Sequence, residues 1–114
     1  MAKTEAAQTV YKGYRVSAAG NQLVTKNDDI LMPGPSQKVW NHSPDGFSWG
    51  YSGSGPAQLA LAILLDVTGD EELASRHHQT FKFKFVAGWG DRWEITSTQV
   101  LDWLNGKVDG ILRT

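Results

Sequence analysis

The longest hydrophobic stretch of the chain lies between residues 57 and 65, where Gln58 is the only polar residue. Pro56 precedes this stretch and suits the first position of a helix, while Gly69 follows it and is typical of a helix C-terminus. The pattern predicts a helix over Pro56–Thr68. Because this helix is apolar on every side, we expect it to lie buried at the centre of the fold.

A second helix is predicted over Glu71–Val86, with Asp70 as its N-cap. Carboxylates occupy its first turn and cations its later turns, which complements the helix dipole. One row of side chains at four-residue spacing comprises Leu73, His77, Phe81 and Phe85. The alternation of Phe and Lys over residues 81–86 also fits a strand, and the charge polarity is the reason for preferring a helix.

A third helix is predicted over Ser97–Asn105, ending at Gly106. Thr96 and Gln99 have the spacing of a capping box, in which each side chain bonds the main chain of the other. This helix is expected to bury Val100, Leu101 and Leu104. The remaining residues, 107–114, fit either a last strand or an irregular tail.

Alternating or β-branched segments predict strands in the N-terminal half. They are Thr9–Val16, Gln22–Lys26, Gln37–Asn41 and Phe47–Tyr51. The first two are expected to pair as a hairpin through residues 17–21, and residues 42–46 form a turn. The predicted fold class is α+β: a small antiparallel sheet packed on a central buried helix, with two further helices. Residues 1–8 are interpreted as a disordered leader and residues 9–114 as one domain.

Composition limits the classes of partner and compartment. The 114 residues carry 11 Lys and Arg against 12 Asp and Glu, so a protein held mainly by phosphate neutralisation on nucleic acid is not indicated. The absence of cysteine excludes disulfides and thiolate zinc sites and fits a reducing, cytoplasmic setting. No segment is apolar for the roughly 20 residues that span a bilayer, and the first residues do not resemble a signal peptide.

The Gly-rich segment before the first predicted helix is the candidate ligand site. Ser52, Gly53, Ser54 and Gly55 would present main-chain N–H groups beside the positive end of a helix dipole, which suits a phosphate or nucleotide. Alternatively, the glycines only let the helix approach its neighbours closely. Pro56 stands where a nucleotide-binding loop needs its lysine, and Gln58 replaces the third glycine of the dinucleotide motif. No cofactor is therefore predicted.

No constellation of catalytic or metal-binding residues is found. Of the three histidines, His42, His77 and His78, the last two diverge by about 100° on a helix, so they cannot face one metal ion, and neither has a metal-binding partner four residues away. The acidic residues near the predicted helix ends have ordinary capping roles. We therefore expect a protein without catalytic residues, without a metal site and without enzymatic activity.

Five tryptophans are many for a chain of this length. Trp49 and Trp103 are assigned to the core, because tryptophan fills hydrophobic cores as well as binding sites. The candidate partner-binding tryptophans are Trp40, Trp89 and Trp93. A basic run including Arg76, Lys82 and Lys84 is either a solvated face or a contact surface for an acidic partner.

The segment GFSWGYSGSGPAQLALAILL at Gly46–Leu65 resembles the signature of a family of small uncharacterised proteins from bacteria, archaea, phages and plasmids. GDEELA at Gly69–Ala74 and WEITSTQVLDWL at Trp93–Leu104 are similar to the same family. The family has no assigned activity, so the resemblance implies no catalytic residue. It implies a setting of small mobile-element proteins, many of which bind and block a host machine such as a CRISPR effector.

Two functions follow as expectations. The first is a non-catalytic phage or mobile-element accessory protein that binds and inhibits a host protein, as an anti-defence protein does. The alternative is a ligand-binding module that holds a phosphate or nucleotide at Ser52–Gly55. The sequence predicts no oligomeric state.

Overall fold

The computed structural model describes residues 8–15 and 22–113, with side chains up to Gly106. The strands are β1 (Val10–Arg15), β2 (Gln22–Lys26), β3 (Asp29–Ile30) and β4 (Arg92–Thr96). The helices are α1 (Gly34–Val39), α2 (Ser54–Thr68), α3 (Glu71–Lys84) and α4 (Ser97–Arg113), with a short 3₁₀ helix at Val86–Gly88. The helices pack on a small antiparallel sheet, which confirms the α+β fold class.

The sheet has the strand order β3-β2-β1-β4, and every neighbouring pair is antiparallel. The predicted pairing of β1 with β2 is confirmed, although the connecting residues 16–21 lie outside the described residues, as do residues 1–7 of the predicted leader. The C-terminal half supplies β4, so the sheet is not built from the N-terminal half alone. At the middle of β1, Gly13 lies opposite Val24 on one side and Trp93 on the other.

Helix α2 forms the centre of the core, as its apolar sequence predicts. Residues 55–64 are all buried, and they contact apolar side chains from the sheet and from α3 and α4. The helix begins at Ser54, so Pro56 occupies its third position rather than its first, and it ends at Gly69 with a φ of 68°. None of the described helices combines the length and hydrophobicity needed to cross a membrane.

A buried polar contact joins the sheet to α2. The Tyr11 hydroxyl donates a hydrogen bond to Asp66, at 2.5 Å, and Lys26 forms an ion pair with the same carboxylate, at 2.9 Å. Burial, together with the neighbouring Asp66 carboxylate, raises the pKa of Tyr11 far above its ordinary value. Tyr11 is therefore a neutral donor, and it fixes β1 against the end of α2.

Helix α3 follows its predicted course. The Asp70 side chain accepts a hydrogen bond from the main-chain N–H of Leu73, which confirms the N-cap. The helix extends to Lys84, and residues 86–88 continue as the 3₁₀ helix, so the helical interpretation of the Phe-rich segment is confirmed over the strand. Phe81 is buried in the core and Phe83 faces solvent, as helical rather than alternating geometry requires.

Helix α4 is longer than predicted. It passes through Gly106 and ends at Arg113, so neither a strand nor an irregular tail follows. Val100 and Leu104 are buried as expected, but Leu101 is exposed, because it lies on the face that points away from α2. A single helical glycine weakens a helix without ending it, which explains the misplaced end.

Substituting Thr96 with alanine is expected to lower the free energy of unfolding by about 1 kcal/mol. The capping box is confirmed: Gln99 N–H donates to the Thr96 hydroxyl at 3.1 Å, and Thr96 N–H donates to the Gln99 side chain at 2.9 Å. Urea denaturation measures the loss. Thr98→Ala, two residues further along and exposed, is the control and should change stability less.

Two predicted strands are wrong. Residues 37–39 belong to α1, whose first turn contains Pro35, and only Trp40 returns to extended backbone. Residues 47–51 form no regular strand, because Gly50 adopts a φ of 89° and its N–H bonds the carbonyl of Val86 rather than a neighbouring strand. The apolar alternation there reflects the burial of Trp49, whose indole N–H donates to Gly90 O at 2.6 Å.

Candidate binding site around Trp40

Gln58 fixes the segment that follows α1 onto the core helix. Its side-chain oxygen accepts the main-chain N–H groups of His42, at 2.8 Å, and Ser43, at 2.9 Å. Its side-chain nitrogen donates to the Ser36 hydroxyl at 2.9 Å and to Trp40 O at 3.1 Å. Gln58 is fully buried, so these four bonds satisfy a polar group that would otherwise be costly in the core. They hold residues 36–43 in one conformation.

The loop positioned by Gln58 brings His42 against His78 of α3. His78 is fully buried, and its Nδ1 lies 2.7 Å from Ser75 O, so Nδ1 must carry the proton that this carbonyl accepts. The neutral ring then leaves Nε2 of His78 as an acceptor. The Nε2 of His42 lies 2.9 Å away and donates to it. Ser75 O therefore sets the tautomer of His78, and His78 in turn sets that of His42, which donates the hydrogen bond between the two rings.

Trp40 covers this imidazole pair while remaining accessible. Its ring stacks on His42, with centroids 4.5 Å apart and planes 25° apart, and it meets His78 edge-on at 5.3 Å. Half of Trp40, 50%, is nevertheless exposed. The ring is thus held in position by its contacts and by the hydrogen bond from Gln58 to its carbonyl.

A cation without a counter-ion borders the same surface. Lys82 is only 7% exposed, its ammonium lies 4.2 Å from the centroid of the Phe83 ring, and it forms no ion pair with any carboxylate of the described residues. Phe83 itself is 64% exposed. We call the five residues Trp40, His42, His78, Lys82 and Phe83 the Trp40 patch.

The charge of the Trp40 patch depends on whether its two imidazoles are protonated. Burial, followed by His78 and Lys82, lowers the pKa of His42. Burial also lowers the pKa of His78; hydrogen bonds to the carbonyls of Ser75 and Ala74 oppose this shift, and Lys82 adds to it. Both rings are therefore favoured as neutral groups, and Lys82 carries the charge of the patch.

The structure separates the tryptophans predicted to bind a partner. Trp40 is on the surface, as expected, whereas Trp93 is only 8% exposed, so its assignment as a surface residue is wrong. Trp93 lies on the inner face of β4, where Gly13 leaves room for its ring, and it meets Trp49 edge-on. Trp89 is half-buried and stacks on Trp93 at 4.0 Å.

The residues of the predicted basic run differ in their exposure. Arg76 and Lys84 are exposed, and Arg76 pairs with Glu72 one helical turn away at 2.9 Å. Lys82 is buried beside Phe83, so the run is not one solvated face. Trp49 is buried as predicted, and Trp103 is partly buried against Phe81 and Phe85.

The Gly-rich segment, residues 52–55, lies at the N-terminus of α2 as predicted, with both serines exposed. A Cβ on Gly53 would meet the Tyr51 ring at 2.6 Å, and one on Gly55 would meet the Ser48 side chain at 2.6 Å. Close packing against Ser48 therefore requires Gly55, whereas the exposed Tyr51 ring could move to accept a side chain at residue 53. Anion binding by Ser52, Gly53, Ser54 and Gly55 stays a prediction.

Sequence reasoning missed Gln58 and three residues of the patch, His42, His78 and Phe83. Gln58 was visible as the single polar residue of an apolar helix, and a buried amide signals a set of hydrogen-bond partners. The contact of His42 with His78 had no such signal, because 36 residues separate them. Within the described residues, no group of three or more His, Asp or Glu side chains converges as a metal site would require.

Comparison with known proteins gives a family match. Residues 11–106 fit the model of the family DUF6166, described as a family of unknown function. No curated protein and no solved structure matches the chain. The match covers most of the chain and agrees with the resemblance to an uncharacterised family.

Proposed function

We propose that this chain, which belongs to the DUF6166 family of unknown function, is a non-catalytic binding protein. In this proposal it binds a host protein through the Trp40 patch and blocks the activity of that protein. This is the role of a phage or mobile-element accessory protein directed against a cytoplasmic host machine, such as a defence complex. The observation that carries the proposal is an exposed tryptophan held rigidly over two imidazoles. Lys82 acts on both imidazoles through its charge and forms no ion pair with a described carboxylate.

The rigidity of Trp40 supports a role in recognition. Exposed tryptophans dominate the binding free energy of many protein interfaces, especially where polar neighbours surround them. Ordering a side chain on binding costs free energy, and a ring already fixed by His42 and by the Gln58 bonds avoids much of this cost. Trp40 therefore offers a pre-ordered aromatic contact, and Phe83 is a second exposed aromatic ring of the patch.

The charge of the patch indicates an acidic partner surface. Lys82 is only 7% exposed and forms no ion pair with a described carboxylate. A partner carboxylate placed beside it would compensate the charge and would favour correct over incorrect partners. The proposed partner thus carries an Asp or Glu side chain next to a depression that accepts the indole ring.

Capture from host lysate tests the proposal. The full chain is immobilised as wild type, as Trp40→Ala and as Met32→Ala, where Met32 is an exposed hydrophobic residue outside the patch. We expect a defined protein to be retained by wild type and Met32→Ala. Its affinity for Trp40→Ala should fall about 30-fold, the equivalent of the 2 kcal/mol typical of a hot-spot tryptophan.

Three outcomes would contradict the proposal. Equal capture by Trp40→Ala and wild type would remove the patch from recognition, and unaltered activity of the captured protein would remove inhibition. A rise in melting temperature with phosphate or a nucleotide, lost on changing Ser52 and Ser54, would instead support the alternative ligand module at Ser52–Gly55.

A further inference from the structure

We propose that His42 and His78 form a two-imidazole site for a divalent transition metal ion, with zinc as the reference ion. Nothing in the proposed binding function requires this site. The sequence predicts no metal site, because His77 and His78 diverge on a helix and neither has a partner four residues away. The inference rests on the convergence of the two Nε2 atoms in the folded chain.

The donor atom of His78 is already oriented as a metal ligand is. The two Nε2 atoms lie 2.9 Å apart, and His78 Nδ1 donates to Ser75 O. Imidazoles that bind metals characteristically donate their second ring nitrogen to a carbonyl or carboxylate, which fixes the tautomer and directs the free lone pair at the ion. The lone pair of His78 Nε2 points at His42 in the same way.

Binding requires a small and local adjustment. Zinc lies about 2.0–2.1 Å from imidazole nitrogen in tetrahedral sites, which separates two such nitrogens by about 3.3 Å. The pair must therefore open by about 0.4 Å, and His42, on a half-exposed loop, can supply this movement. The proton now on His42 Nε2 moves to Nδ1 of the same ring, so the ion gains a ligand without net loss of a proton.

The other ligands come from solvent. Within the described residues, no third His, Asp or Glu completes the site, and His42, which is partly exposed, is the side from which water would approach the ion. Lys82 opposes the binding of zinc, because its positive charge acts on both imidazoles and would repel a cation placed between them. The site is thus a weak one, and Lys82 provides a substitution that should strengthen it.

Isothermal titration of zinc chloride into the full chain, previously stripped with a chelator, tests the site. Wild type is expected to bind one ion, and His42→Gln and His78→Gln should each weaken binding at least tenfold. Lys82→Met should tighten binding about three- to tenfold. His77→Gln, the neighbouring histidine, is the matched control and should bind like wild type.

Nitrogen NMR of the imidazoles provides the second measurement. Zinc should shift the Nε2 resonances of His42 and His78 and leave those of His77 in place. Equal zinc affinity in wild type and His42→Gln, or shifts centred on His77, would overturn the proposal, and so would an absence of zinc binding by wild type. If His78→Gln fails to fold, His42→Gln on the loop decides the question. Both measurements use the purified chain without a protein partner. A negative result for zinc binding would therefore leave the proposed binding function untouched.

Discussion

Replacing Gln58 with leucine is expected to lower the free energy of unfolding by about 3–4 kcal/mol. Leucine fits the apolar surroundings but leaves four groups without their partner: the N–H groups of His42 and Ser43, the Ser36 hydroxyl and the Trp40 carbonyl. Each unsatisfied buried group costs about 1–3 kcal/mol, and movement of the loop towards water recovers part of the loss. Urea denaturation followed by circular dichroism measures the difference.

Gln79→Leu is the matched control for this substitution. Gln79 lies half-buried on α3, and its side chain makes no hydrogen bond within the described part of the chain, so stability should change by no more than about 0.5 kcal/mol. Gln58→Leu should also lose the partner retained by wild type, because Trp40 is no longer held. Equal stability of the two variants would show that the four bonds do not order residues 36–43.

Gly13→Ala is expected to destabilise the protein by about 3 kcal/mol. A Cβ at this position would lie 2.1 Å from Nε1 of Trp93, so the indole ring must move. Trp93 stacks on Trp89 and meets Trp49 edge-on, and its displacement therefore disturbs a cluster of three large rings. Thermal unfolding monitored by tryptophan fluorescence reports both the loss of stability and the movement.

Gly106→Ala is the comparison variant, and it is expected to stabilise the protein where Gly13→Ala destabilises it. Gly106 lies exposed in α4, where an added Cβ would have nothing within 4 Å of it, so alanine should raise the free energy of unfolding by about 0.5–1 kcal/mol through helix propensity. A Gly13→Ala protein as stable as wild type, with unchanged fluorescence, would contradict the placement of Trp93 against β1.

The parts of the fold that depend on local sequence could be predicted. Apolar continuity placed α2, and the caps at Asp70 and Thr96 placed the starts of α3 and α4. The failures involve contacts distant in sequence. Residues 47–51 alternate like a strand because Trp49 is buried, yet within the described part of the chain no strand pairs with them, and Gly50 bonds the 3₁₀ helix instead.

The same distinction applies to the site. Trp40 is exposed as expected of a partner-binding candidate, although the strand predicted around it is wrong. The burial of Trp93 depends on a glycine across the sheet, and that of Lys82 on tertiary packing. The meeting of His42 with His78 needed the loop conformation set by Gln58. Residue type was enough to list candidate binding residues. Which of them lie on the surface and which meet in one place depends on tertiary packing.

Gln58 lies inside the central helix and is constrained by its four hydrogen bonds, whereas the exposed residues of the Trp40 patch are free to vary. Trp40 and Phe83 are exposed, so exchanging them should cost the native state little. Gln58 bonds the loop that carries Trp40 to the buried helix, so its loss should disturb the core and the loop together. If the protein binds a target as proposed, its specificity can therefore change through exposed side chains alone, on an unaltered framework.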